Sequence, residues 1–202
     1  MPTTPLQWLA AVLVVLFFGG AVGYVLGTRE DAPPEPSSLD VGFLQDMISH
    51  HEQALEMAAF ELANGSERGV QVFAQEILQT QSYEIGLMER QLNQWGHDRT
   101  ERSETAMGWM GMAIGVAQMP GMASDADLRA MRDGKGRTID ALFVPLMQEH
   151  HRGGVHMAGY AARSAKTPFV RQLAALVERN QRIEINELEE ARVRTGLELL
   201  PR

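Results

Sequence analysis

The chain repeats itself at an offset of one hundred residues, and this repetition limits the folds open to it. Residues 43–58 read FLQDMISHHEQALEMA and residues 143–158 read FVPLMQEHHRGGVHMA. Phe43, Met47, His50, His51, Met57 and Ala58 recur as Phe143, Met147, His150, His151, Met157 and Ala158. The register continues without a gap through Val70/Val170, Ala74/Ala174, Gln81/Gln181, Glu84/Glu184, Ile85/Ile185 and Gly96/Gly196. A match of this length makes each half the same supersecondary unit.

Each unit reads as a helical hairpin. Leu44, Met47, His51, Ala54, Ala58 and Leu62 follow three-four spacing and share one face. Asn64-Gly65-Ser66 breaks this helix, with Ser66 as the cap of the next. Ala74, Ile77, Gln81, Ile85, Met88 and Leu92 form the stripe of the second helix, which ends at Trp95-Gly96. In the later copy the turn is Lys166-Thr167-Pro168, where Thr167 suits the N-cap and Pro168 the first helical position. Two hairpins that each hide one face predict an all-α four-helix bundle over residues 39–202. Residues 97–134 form its crossover, with a short helix capped by Ser124 and Asp127.

Ahead of this domain, residues 6–26 read LQWLAAVLVVLFFGGAVGYVL without a charge. A helix of that length spans roughly 30 Å, the thickness of a bilayer's hydrocarbon core. A cleaved signal peptide would show a basic start and a shorter apolar run, so residues 1–26 are expected to be an uncleaved single-pass anchor in the cell membrane. Gly19, Gly23 and Gly27 recur every fourth residue, a pattern that lets two membrane helices pair into a homodimer; glycine is also simply common in such helices. Residues 27–38 (GTREDAPPEPSS) form a polar, proline-rich linker.

On the predicted inner face stand residues that an ordinary core excludes. At 100° per residue His51 falls near the centre of the stripe, with His50 and Met57 towards a margin where solvent or a supporting role awaits them. Gln81 and Glu84 share the arc of Ile77 and Met88. The second half repeats the set with His151, Gln181 and Glu184, while His150 and His156 match His50 in lying aside. An unpaired buried carboxylate costs several kcal/mol, so these groups must satisfy each other, meet water or hold a metal.

The chain has no cysteine, which removes thiolate chemistry, and its twelve methionines and six histidines are the remaining soft or borderline ligands. Imidazole beside thioether suits copper. The candidate ligands are His51, His151, Met47 and Met147, then His50, His150, Met57 and Met157, with Glu84 and Glu184 as ligands or as groups that orient the imidazoles. A second candidate site is the crossover run MGWMGMAIGVAQMPGM, with Met107, Met110, Met112, Met119 and Met122. Those thioethers can wrap a soft cation or act as an adaptable apolar lid.

The net charge of −8 argues against binding nucleic acid through its phosphates. The sequence contains no nucleophile elbow, phosphate loop or H-E-x-x-H. A binding role is therefore favoured over catalysis.

The paired Met47-Ile48-Ser49-His50-His51 and Met147-Gln148-Glu149-His150-His151 segments resemble the DUF305 family. So do Met57-Ala58, Met157-Ala158 and the Met119-Pro120-Gly121-Met122 turn that runs into Ser124-Asp125-Ala126. The resemblance covers roughly residues 38–195 and implies a ferritin-like fold outside the bacterial cytoplasm, with copper binding or resistance in some members. Copper-linked members often carry many more Met and His residues in the crossover, where this chain has methionines but His97 as its one histidine. The expectation is a membrane-anchored, extracytoplasmic copper-binding protein serving buffering, transfer or resistance, with an unknown metal-delivery partner. The alternatives are a ferritin-like dinuclear iron or manganese oxidoreductase, for which the inner face supplies too few carboxylates, and a non-catalytic interaction domain.

Overall fold

Five α-helices follow from the pattern beyond residue 38 in the computed structural model, which describes residues 15–20, 32–100 and 105–198. They are α1 (Leu39–Asn64), α2 (Arg68–Gln94), α3 (Asp125–Asp133), α4 (Arg137–Ser164) and α5 (Pro168–Thr195). A two-residue ribbon, β1 (Thr105–Ala106) antiparallel to β2 (Ile114–Gly115), is the one sheet among the described residues. The protein is all-α in character.

The chain separates into a compact unit from Pro34 onward and another before it. In the earlier unit residues 15–20 are helical, with Phe17 71% exposed. The rest of the expected 6–26 anchor, including Gly23, lies outside the described residues, as does Gly27 at the start of the linker. Among the described residues no helix is long and apolar enough to cross a membrane.

Within the larger unit, α1 packs on α2, α4 on α5, and α1 against α4, whereas α2 and α5 touch only lightly. The apolar side chains divide into two clusters. One joins Phe43, Leu44, Met47 and Met88 to Met157, Ala158, Val170 and Ala174. The other joins Ala54, Met57, Val70 and Ala74 to Phe143, Met147 and Leu188. Early residues of α1 therefore meet late residues of α4, and late meet early. The two helices run antiparallel past one another, and the duplication maps onto a local twofold arrangement. Each buried Phe or Met contributes roughly 1.5–3 kcal/mol of transfer free energy, so both ends of the domain carry an apolar anchor.

The hairpin turns are tied across this twofold. The Asp140 carboxylate accepts from Ser66 N (3.0 Å), Ser66 Oγ (2.8 Å) and Glu67 N (3.2 Å) at the start of α2. Asp40 accepts from Lys166 N (3.0 Å) and Thr167 N (2.7 Å) at the start of α5. A carboxylate there satisfies orphan amides and opposes the positive end of the helix dipole. Ser66 is consequently not the cap expected of it. Its hydroxyl donates to Asp140, and α2 starts after Glu67 with no side-chain cap of its own. Thr167 does cap α5, accepting from Val170 N at 3.3 Å, with Pro168 in the first turn. Ser124 and Asp127 form the expected capping box of α3.

Candidate metal centre

Between the two apolar clusters lies a polar layer. His50, His51, His150 and His151 are all fully buried, as are Gln81 and Gln181 to within 2%. The placement of His50 and His150 at a margin is therefore corrected: their rings stack at the crossing of α1 and α4, with centroids 3.8 Å apart. One helical wheel shows a single contact face. Here α1 has a second, because the crossover covers the side that periodicity left open. His156 stays exposed.

Each half presents a histidine hydrogen-bonded to a carboxylate. His51 Nε2 lies 2.8 Å from Glu84 Oε2, and His151 Nε2 lies 2.6 Å from Glu184 Oε2. His50 Nε2 donates to the Pro120 carbonyl at 3.0 Å. Since a carbonyl or carboxylate only accepts, these bonds place the proton on Nε2 and a lone pair on Nδ1. Among the described residues, the Nδ1 atoms of His50, His51 and His151, both ring nitrogens of His150, and both amide groups of Gln81 and Gln181 have no partner. Leaving one buried polar group unmet costs roughly 1–3 kcal/mol, and the described side chains around this layer do not supply the missing partners.

Electrostatics keep the lone pairs available. Burial, with the neighbouring imidazoles adding to it, lowers the His50 pKa to about 3. The same causes hold His150 well below the ordinary histidine value. Both rings are neutral at physiological pH and can donate electron pairs without first losing a proton.

The methionines divide between the two ends. Met47 and Met157 sit in one apolar cluster, Met57 and Met147 in the other. Among the described residues, no group of three or more His, Asp and Glu side chains gathers tightly enough to hold an ion by itself. In the crossover, Met107 and Met119 are buried in the first cluster and Met110 and Met122 pack against it, while Met112 is 42% exposed. That is the position of an apolar lid.

The lid is fastened by residues the sequence reading passed over. Asp46 accepts from Met107 N and Trp109 Nε1, both at 2.7 Å, which holds Met107 in its left-handed conformation at φ 66°. The Gln53 amide brackets Ala123, accepting from its N–H at 2.7 Å and donating to its carbonyl at 3.1 Å. Gly153 is required where it stands, because a Cβ there would collide with the Pro120 carbonyl. Asp40 and Asp140 obey the same one-hundred-residue offset as the histidines and were legible on that ground. Gln53 and Pro120 carry no such signal.

The family model described as "Domain of unknown function (DUF305)" matches residues 40–192. A crystal structure of a DUF305 protein from Streptomyces coelicolor is 32% identical, with a TM-score of 0.76 over 83% of this chain and 100% of that one. A DUF305 fragment from Deinococcus radiodurans is 31% identical, with a TM-score of 0.68 over 80% and 99% of the two chains. CopM in its Cu(II)-bound form is 27% identical, with a TM-score of 0.58 over 76% and 94%. No curated protein matches the chain at comparable significance.

Proposed function

The chain belongs to the DUF305 family, and from that premise we propose that it binds copper ions as cargo at the histidine layer. It does so for buffering, transfer or resistance, as a ferritin-like four-helix bundle held outside the cytoplasm by its N-terminal anchor. The observation that carries this reading is the set of buried, unpartnered imidazole nitrogens. Water alone is a poor occupant for rings stacked this closely, whereas a borderline-soft cation takes neutral imidazole nitrogen readily. The copper-bound state of a relative 27% identical favours copper over other such ions.

The residues divide the work by chemistry. Glu84 and Glu184 hold the Nε2–H of His51 and His151, which fixes the tautomer, aims Nδ1 and raises the basicity of the ring. His50, fixed by Pro120, offers Nδ1 in the same way, and His150 offers either nitrogen. Met47 and Met147 supply thioether sulfur at the two borders of the layer. A dinuclear oxidoreductase is the weaker reading, because the layer's two carboxylates are already committed to histidines.

Equilibrium dialysis of the purified full chain against Cu(I) and Cu(II) tests the proposal. Near-stoichiometric uptake is expected, and the double substitution His51→Ala with His151→Ala should abolish it. A folded, metal-free wild type that leaves all titrated copper in solution would overturn it.

A further inference from the structure

Metal cargo needs a route to a layer this deeply buried, and the two faces of the α1–α4 pair differ in what they allow. On the crossover face, main chain lies directly on main chain. The Pro120 carbonyl accepts from His50 and seats against Gly153. Gly121 lies on the backbone of Glu149 and His150. The Gln53 amide clamps Ala123 from both sides, and Met119 is 2% exposed. An ion could pass there only if the whole turn lifted.

The opposite face is covered by α2 and α5, which touch each other lightly. Here the duplicated carboxylates are not equivalent. The Glu84 side chain is 4% exposed, and its second oxygen faces Asn180 Nδ2 across a long 3.5 Å contact from the other hairpin. The Glu184 side chain is 16% exposed. Its described partner is His151 alone, through one oxygen, and the residue matching Asn180 is Thr80. Among the histidines, glutamines and glutamates of the layer, Glu184 is the one solvent reaches appreciably.

We infer that copper enters and leaves through Glu184, between α2 and α5, and that the crossover stays closed throughout. The inference rests on the copper-binding reading above and concerns the same layer. An exposed carboxylate oxygen draws a hydrated cation to the mouth. The other oxygen holds the Nε2–H of His151, so an ion drawn to the carboxylate arrives beside the ring whose free Nδ1 lone pair it then takes. Glu84, closed in by Asn180, keeps its histidine oriented and receives nothing from outside. The twofold arrangement thus has one port.

Stopped-flow uptake of Cu(II) by the full chain, with deuterium exchange at the histidine C2–H positions of the metal-free chain, tests the route. Glu184→Gln should slow uptake about tenfold more than Glu84→Gln and remove most of its ionic-strength dependence. In the metal-free protein His151 should exchange faster than His51. Gly153→Ala, which pushes on the crossover, should leave uptake no faster than wild type. Equal slowing by the two glutamine variants, faster uptake in Gly153→Ala, or exchange at His51 matching that at His151 would each overturn the port. If copper does not bind at all, the function proposed above fails, and the exchange order still decides which face is open.

Discussion

The two hairpins agree in the histidines, glutamines and glutamates of the layer and differ where the crossover and one turn adjoin them. Gln53 of the first clamps the crossover through two hydrogen bonds. Its counterpart Gly153 serves the same crossover by having no side chain. Near the turn, Glu61 is fully buried beside Asp140 and burial, reinforced by that neighbour, raises its pKa to about 9. The corresponding residue is Ala161, and Asp40 has no such companion. Duplication therefore preserved the groups that define the layer, while a single crossover, which can lie on one side only, forced the flanking positions apart.

The comparison breaks most visibly at the crossover. Gly153→Ala should cost on the order of 3 kcal/mol, because backbone rather than a flexible side chain must move. Gln53→Ala loses two hydrogen bonds and should cost about 1–2 kcal/mol. Urea unfolding of the two variants measures the gap, and equal losses would mean that the two copies hold the lid alike.

The turn ties come next. Asp140→Ala removes bonds to two backbone amides and a hydroxyl, against two amides for Asp40→Ala. Losses of about 2–3 and about 1–2 kcal/mol are expected in thermal unfolding.

Glu61 sharpens the contrast through pH. Its folded pKa is raised, so the native state holds a proton that the unfolded chain releases above the ordinary carboxyl range. Stability from this group is complete at low pH and declines as pH rises from about 4.5 towards about 9. The slope is at most about 1.4 kcal/mol per pH unit. Glu61→Gln should flatten that decline in melting temperature between pH 5 and 9, and an unchanged slope would show the carboxyl ionised in the fold.

The smallest effect is expected from Thr80→Asn, which gives α2 the residue that covers Glu84 from α5. Stability should move by less than about 0.5 kcal/mol, while copper uptake slows. Unaltered uptake would separate coverage of Glu184 from its access.

Much of this organisation could be read from residue spacing. The helices, the two like hairpins, Glu84 and Glu184 as candidate orienters of the imidazoles and the capping box at Ser124 all follow from periodicity and offset, which are local or repeated signals. His50 and His150 were misplaced because their burial comes from two contacts, the other copy and the crossover, that no single helix encodes. The division of Met47 with Met157 and Met57 with Met147 depends on helix direction in space. The inequality of Glu84 and Glu184 turns on Asn180 against Thr80, one substitution on a neighbouring helix. Residues 6–26 illustrate the other case: their composition gives a definite expectation, and all but 15–20 fall outside the described residues.

The reciprocal ties of Asp40 and Asp140 make the two halves mutually dependent. A lone hairpin carries a turn with bare amides and a carboxylate facing away from it, so it is incomplete by itself. Two identical hairpins complete each other with no new chemistry. Each half therefore relies on the other to close its own turn, so neither hairpin satisfies its amides alone.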